Sequence, residues 1–313
     1  MNNLLSAEFS RLFRTKLFYI VLASCVGISL VAVYYASKAY DLFYADQSFL
    51  HLSCLQMSCF LYAGIVSAFF VSLFIGKEYS DGTIRNKLIS GHSRISVYIA
   101  DFVVCFAAEL IISSVCVFIM TLCSRFSDSI NYFSVSFILK TQLIGISVTA
   151  VYTAIFLLLT FLMNSRSKAV TASMILAVIL LFFGDAVYEM LLPTETLEEI
   201  NFTVSTEVDE IFFEFLENGA DQEDWDALTE MEQDLFREKI ECERGRSLAE
   251  AERNVLLVLN DVLPYCQTED VCQYSSNIRQ LPERSMRYIL CDCSIMIITT
   301  ALGIFIFKRQ DIK

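Results

Sequence analysis

Six stretches of this chain are each long and apolar enough to cross a lipid bilayer, and nothing else in the sequence narrows its folds as much. A helix that crosses the hydrocarbon core needs roughly 20 apolar residues. Residues 17–36, 52–75 and 141–163 meet this without a single charge. Residues 97–123 meet it with Asp101 and Glu109 as the only interruptions, 169–192 with Asp185 and Glu189 near the far end, and 288–307 with Asp292 near the start. Lipid offers no partner to a free backbone amide or carbonyl, so each run satisfies itself as a helix. The expected fold is an all-α polytopic membrane protein with six transmembrane helices. Composition agrees: 55% of residues are hydrophobic against 19% charged, beyond the apolar share of an ordinary soluble domain.

The formal charge of −13 is unevenly spread. Residues 193–286 hold 24 Asp and Glu against 7 Lys and Arg, which leaves the rest of the chain mildly basic. That contrast divides the chain into a membrane domain (1–192), an acidic segment (193–286), and a sixth span with a C-terminal tail (287–313). Orientation follows from the basic residues of the short loops. Arg11, Arg14, Lys16, Lys77, Arg85, Lys87, Arg94, Arg166, Lys168, Lys308, Arg309 and Lys313 fall on one side, and only Lys38, Arg125 and Lys140 on the other. This bias puts both termini in the cytoplasm and residues 193–286 outside a plasma membrane. Arg11, Arg14 and Lys16 before the first run also fit a signal peptide, but the apolar stretch exceeds a usual h-region and reads as an anchor.

The outer segment reads as an extracellular helical domain between the fifth and sixth spans. Thr196–Glu199 and Ser247–Glu250 fit capping boxes. Ile211, Phe212 and Phe215 recur at helical spacing, as do Leu228, Met231 and Leu235, and then Leu248, Ala251, Val255 and Leu259. Its charge suits either a solvated cap or a surface that draws cationic peptides. Cys266 and Cys272 could pair if this side is oxidising, although connectivity does not follow from sequence. No paired CxxC set suggests zinc, no dense basic face suggests nucleic acid, and no cofactor motif is present.

Two cytoplasmic elements carry more information. In residues 2–16, Leu5, Phe9, Leu12 and Phe13 share one helical face while Glu8, Arg11 and Arg14 lie on others, which suits a helix lying in the membrane interface. Between the second and third runs stands Gly76-Lys-Glu-Tyr-Ser-Asp-Gly-Thr-Ile-Arg85, followed by Asn86, Lys87, Leu88, Ser90, Gly91 and His92. Asp81 can cap a short helix and Gly91 can end it in the left-handed conformation, leaving about nine residues between. Ile84 and Leu88 share one face of it. Glu78 and Arg85 are placed to form an ion pair.

This loop, with Leu88, Ser93 and Arg94 after it, resembles that of ABC transporter permeases of the ABC-2 type. The lead Glu8–Lys16 and the ending Phe307–Asp311 are similar too, and so is the layout of six spans with an outer insertion before the last. Residues 193–286 are longer than the family's usual outer segment. The resemblance implies a membrane-spanning subunit of an ATP-driven exporter that pairs with a second permease subunit and with a cytoplasmic ABC ATPase. Residues 77–91 would be its coupling helix, with Lys77, Glu78, Gly82, Thr83, Arg85 and Leu88 bearing on the ATPase. The chain has no phosphate loop of its own, so hydrolysis falls to the partner.

A carboxyl within a span is costly to bury, so Glu109 faces the bundle or a cavity, and Asp185 and Glu189 join it as candidates for a translocation path. The neutral alternative is a protonated Glu109 bonded between helices. Two other classes compete. An intramembrane enzyme is disfavoured because His51 and His92 are the only histidines and neither lies in a span. A membrane sensor or immunity protein would bind its ligand through the acidic segment and need no ATPase.

Overall fold

The computed structural model describes residues 2–43, 50–51, 59–124, 130–131, 135–203, 250–277 and 285–309. Among these the chain is almost wholly helical, in two compact units. The first comprises Met1–Gly184 and Asp261–Lys313, the second Asp185–Asn260.

The first unit opens with α1 (Asn2–Arg14) and α2 (Lys16–Phe43). Thr15 makes the corner between them: its amide donates to Leu12 O, its Oγ1 to Arg11 O at 2.8 Å, and its carbonyl accepts from Phe18 N. Then come α3 (Ala63–Ser80), α4 (Thr83–Ile89), α5 (Arg94–Ser124), α6 (Val135–Met163) and the start of α7 (Arg166–Thr203). After the second unit follow α9 (Pro264–Asn277) and α10 (Ser285–Arg309). A two-residue parallel pairing, Leu50 with Ile130 and His51 with Asn131, is the one strand pairing among the described residues (β1 and β2). The described residues of the second unit are the far part of α7 and most of α8 (Glu250–Val262).

Among the described residues, five helices are long and apolar enough to cross a membrane: Lys16–Tyr35, Arg94–Cys123, Thr141–Met163, Arg166–Leu191 and Met286–Arg309. They correspond to five of the six apolar runs. The run 52–75 is only partly described, as helical residues 59–61 and the first part of α3, and 52–58 lie outside the described residues.

α6 is the central helix of the first unit. Its Val148, Tyr152, Phe156, Leu157 and Phe161 join Phe70, Val71, Phe74 and Ile75 of α3 and Val97, Tyr98, Val104 and Ala108 of α5 in one buried cluster. At the Phe161 end, that ring meets Tyr79, Tyr98 and Phe307 with centroids 5.7, 4.9 and 4.7 Å apart. Gly303 makes room for Tyr98, because a Cβ there would run into the phenol ring. The outer faces of these helices expose large apolar side chains, among them Ile28, Phe118, Phe182, Ile297 and Ile298. Water would penalise so much bare apolar surface, whereas lipid does not. Span hydroxyls turn inward on the backbone: Ser24, Thr149 and Thr160 each donate to the carbonyl four residues earlier.

Three local readings change. Thr196–Glu199 starts no helix, because α7 runs unbroken through it to Thr203. Val255 is 59% exposed and does not face a core. Cys266 and Cys272 do not pair: the Cys266 thiol donates to Gly184 O at 3.2 Å, and Cys272 is disulfide-bonded elsewhere. Both sit on α9 six residues apart, so the helical rise alone separates them by about 9 Å, beyond the roughly 7 Å limit for a bridge. The segments around Phe212, Met231 and Ser247 lie outside the described residues.

Candidate functional site

α3 ends at Ser80, and the chain reverses through Asp81 and Gly82. Gly82, not Asp81, is the N-cap of α4, with φ +69°, and Asp81 closes α3 by donating its amide to Lys77 O. A left-handed residue at that corner favours glycine. α4 is therefore seven residues long instead of nine. Its other end follows the expectation. Gly91 has φ +90°, its amide donates to Leu88 O, and His92 N donates to Lys87 O, which together form a Schellman stop. Ser93 then caps α5, its Oγ accepting from Ser96 N at 3.1 Å. Arg94 Nη1 reaches the last helix and donates to Phe307 O at 2.7 Å and Lys308 O at 3.1 Å.

The two faces of α4 differ sharply. Ile84 and Lys87 are buried, while Arg85 and Asn86 are exposed and Ile89 is 73% exposed. The inner partner of Glu78 is accordingly Lys87, not Arg85. Once Gly82 has set the helical phase, Ile84 and Lys87 point one way and Arg85 the other.

Lys87 is the centre of a buried ionic cluster. Its Nζ donates to Glu78 Oε2 at 2.6 Å and Asp101 Oδ1 at 3.1 Å, and pairs with Glu8 Oε1 at 2.8 Å. Arg11 pairs with Glu8 at 2.9 Å and with Glu78, and its guanidinium lies over the Phe74 ring, 4.2 Å from the centroid. Four helices contribute: α1 (Glu8, Arg11), α3 (Glu78, Phe74), α4 (Lys87) and α5 (Asp101). Oxygens of Glu8, Glu78 and Asp101 lie within 4.8 Å of one another, a spacing that could hold a cation. The ammonium of Lys87 fills that role, hydrogen-bonded to Glu78 and Asp101 and ion-paired with Glu8.

Glu8 and Asp101 were not among the residues that sequence reasoning singled out. Glu8 does not lie on a separate polar face of α1, since it is buried between Leu4 and Leu12 on the side that packs inward. The available signal was the i, i+4, i+8 spacing of Leu4, Glu8 and Leu12, which sets a carboxylate in the middle of an apolar stripe. Phe13, assigned to the apolar face, is 47% exposed. Of the residues expected to bear on a partner, Lys77 and Arg85 are exposed, Gly82, Thr83 and Leu88 are half-buried, and Glu78 is buried inside the cluster.

A second polar group lies deeper. Glu109 of α5 is buried, and its Oε2 accepts from Ser67 Oγ of α3 at 2.7 Å and Thr153 Oγ1 of α6 at 2.8 Å. Asp292 of α10, also buried, accepts from Ser147 Oγ at 2.6 Å and Gln267 Nε2 at 3.1 Å. Asp185 and Glu189 belong to the second unit, four residues apart on α7, with Asp185 half-buried and Glu189 exposed.

The fold and the loop define a multi-pass membrane protein whose short loop helix is clamped from within and bare on its outer side. The chain belongs to the ABC-2 transporter family, as the model of the ABC-2 family transporter protein matches residues 4–184, more than half of its length. Members are membrane-spanning permease subunits of ABC transporters, not the catalytic subunits, and associate with an ABC ATPase. No curated protein matches the chain.

Proposed function

We propose that this chain is the permease subunit of an ATP-driven exporter in which residues 77–91 couple to a separate cytoplasmic ATPase. The observation that carries this reading is the asymmetry of α4. Its inner face is fixed to three other helices by Lys87 and Ile84, and its outer face offers Arg85 and the bare Ile89, with Lys77 exposed on the last turn of α3. A partner that presses on the outer face acts on α1, α3 and α5 together. Ile89 suits an apolar socket, and the two flanking cations suit an acidic rim.

In this reading both termini are cytoplasmic, α3 belongs to the second of six spans, and residues 193–286 stand outside. A second permease subunit, identical or related, completes the path. Glu109 lines that path in the membrane, with Asp185 and Glu189 toward the outer side.

The test is affinity purification of the full chain from its native membrane with ATP hydrolysis as the readout. A nucleotide-hydrolysing subunit should accompany the wild type and be lost when 77–91 is scrambled. Gly82→Pro, which cannot adopt the positive φ, should abolish transport while leaving membrane insertion intact. A chain that binds a ligand and signals with no hydrolysing partner would instead be a sensor.

A further inference from the structure

Between α2, α3, α5 and α6 lies a cavity of about 430 Å³, within the range of roughly 300–1,000 Å³ typical of small-molecule sites. It sits inside one chain and belongs wholly to the first unit. Its lining is aliphatic, aromatic and sulfur-bearing, with a few hydroxyls and one ionisable oxygen acid, Glu109. No lysine, arginine or histidine is among its described lining residues.

Glu109 is only 4% exposed, yet its hydrogen bonding is one-sided. Oε2 takes both protein donors, from Ser67 and Thr153, whereas Oε1 has no partner among the described residues. A buried acceptor left open is expensive, and its natural complement is a donor brought by a ligand. The apolar walls call for a hydrocarbon body, and the lone carboxylate calls for a positively charged N–H group. We propose that this cavity binds a single-chain amphiphile with a primary ammonium head, which donates to the Glu109 carboxylate while its chain lies against Ile112, Cys116 and Met120. The site depends on the permease reading only for treating such a molecule as cargo; binding itself requires no ATPase.

The probe is n-decylamine, with n-decanol as a partner of equal chain length but no charge. Each is titrated against the full chain in nanodiscs, with empty nanodiscs subtracting partition into lipid, and binding is read from thermal unfolding. The wild type should bind the amine about tenfold more tightly than the alcohol, the worth of one charge-assisted hydrogen bond. Glu109→Gln should lose that preference while keeping its affinity for the alcohol. N-ethylmaleimide labelling supplies a second reading: the amine should slow modification of Cys25 and Cys59, which line the cavity, but not of the exposed Cys293. Equal binding of amine and alcohol, or a preference that survives in Glu109→Gln, would overturn the proposal and leave a pocket for lipid tails. Either result leaves ATPase co-purification untouched, so the two readings fail separately.

Discussion

Acidic side chains are buried in two ways in the first unit of this protein. At the loop end, Glu8, Glu78 and Asp101 are held by the full charges of Lys87 and Arg11. Elsewhere in the unit, Glu109 of α5 and Asp292 of α10 accept from hydroxyls and a side-chain amide. The first arrangement is rigid, because removing either sign strands the other out of water. The second binds its carboxyls through neutral donors alone, and Glu109 Oε1, like Asp101 Oδ2 in the cluster, has no hydrogen-bond partner among the described residues. Ion pairing fixes a joint, whereas hydroxyl contacts leave room for exchange with something that arrives.

The comparison can be broken most severely at Lys87. Lys87→Met leaves three buried carboxylates with Arg11 alone, and should cost about 3–5 kcal/mol in thermal unfolding measured in nanodiscs. A loss below about 1 kcal/mol would mean that water reaches the cluster. Glu78→Gln should cost less, about 1–3 kcal/mol, since it removes one partner from each cation and leaves Glu8 and Asp101 in place. On the other side, Ser67→Ala removes a single donor to Glu109 and should cost about 1 kcal/mol. The smallest effect belongs to Glu109→Gln, whose amide oxygen can still accept from Ser67 and Thr153. Its unfolding temperature should stay close to wild type, and a loss as large as that of Lys87→Met would erase the distinction. Arg85→Ala should likewise leave unfolding unchanged, since its side chain is exposed, while ATPase association weakens.

Much of this was legible in sequence where the cause is local. Apolar run length marks the spans, because hydrocarbon thickness sets it. Gly91 marks the end of α4 because a left-handed stop favours glycine. The N-terminal side of α4 was misjudged because Asp81 and Gly82 both suit a helix start, and only the backbone turn decides which serves. Arg85 was paired with Glu78 because both flank the loop, but the inner face belongs to Lys87 two residues on. The cluster was out of reach because its bonds join α1 to residues far along the chain, and no local pattern reports such a partner. Glu109 was recognisable as an anomaly within a span, while the two hydroxyls that hold it come from runs that look uniformly apolar.

The grip of Arg94 on Phe307 O and Lys308 O has a mechanical corollary. The final turn of α10 has spare carbonyls that would otherwise seek water, and a guanidinium rooted just past residues 77–91 takes them. A push on that segment is thus delivered at once to the opening helix through Glu8 and to the closing helix through Arg94. The polypeptide is stitched shut at one rim, so in the proposed permease a stroke applied there would reach its earliest and latest described helices together.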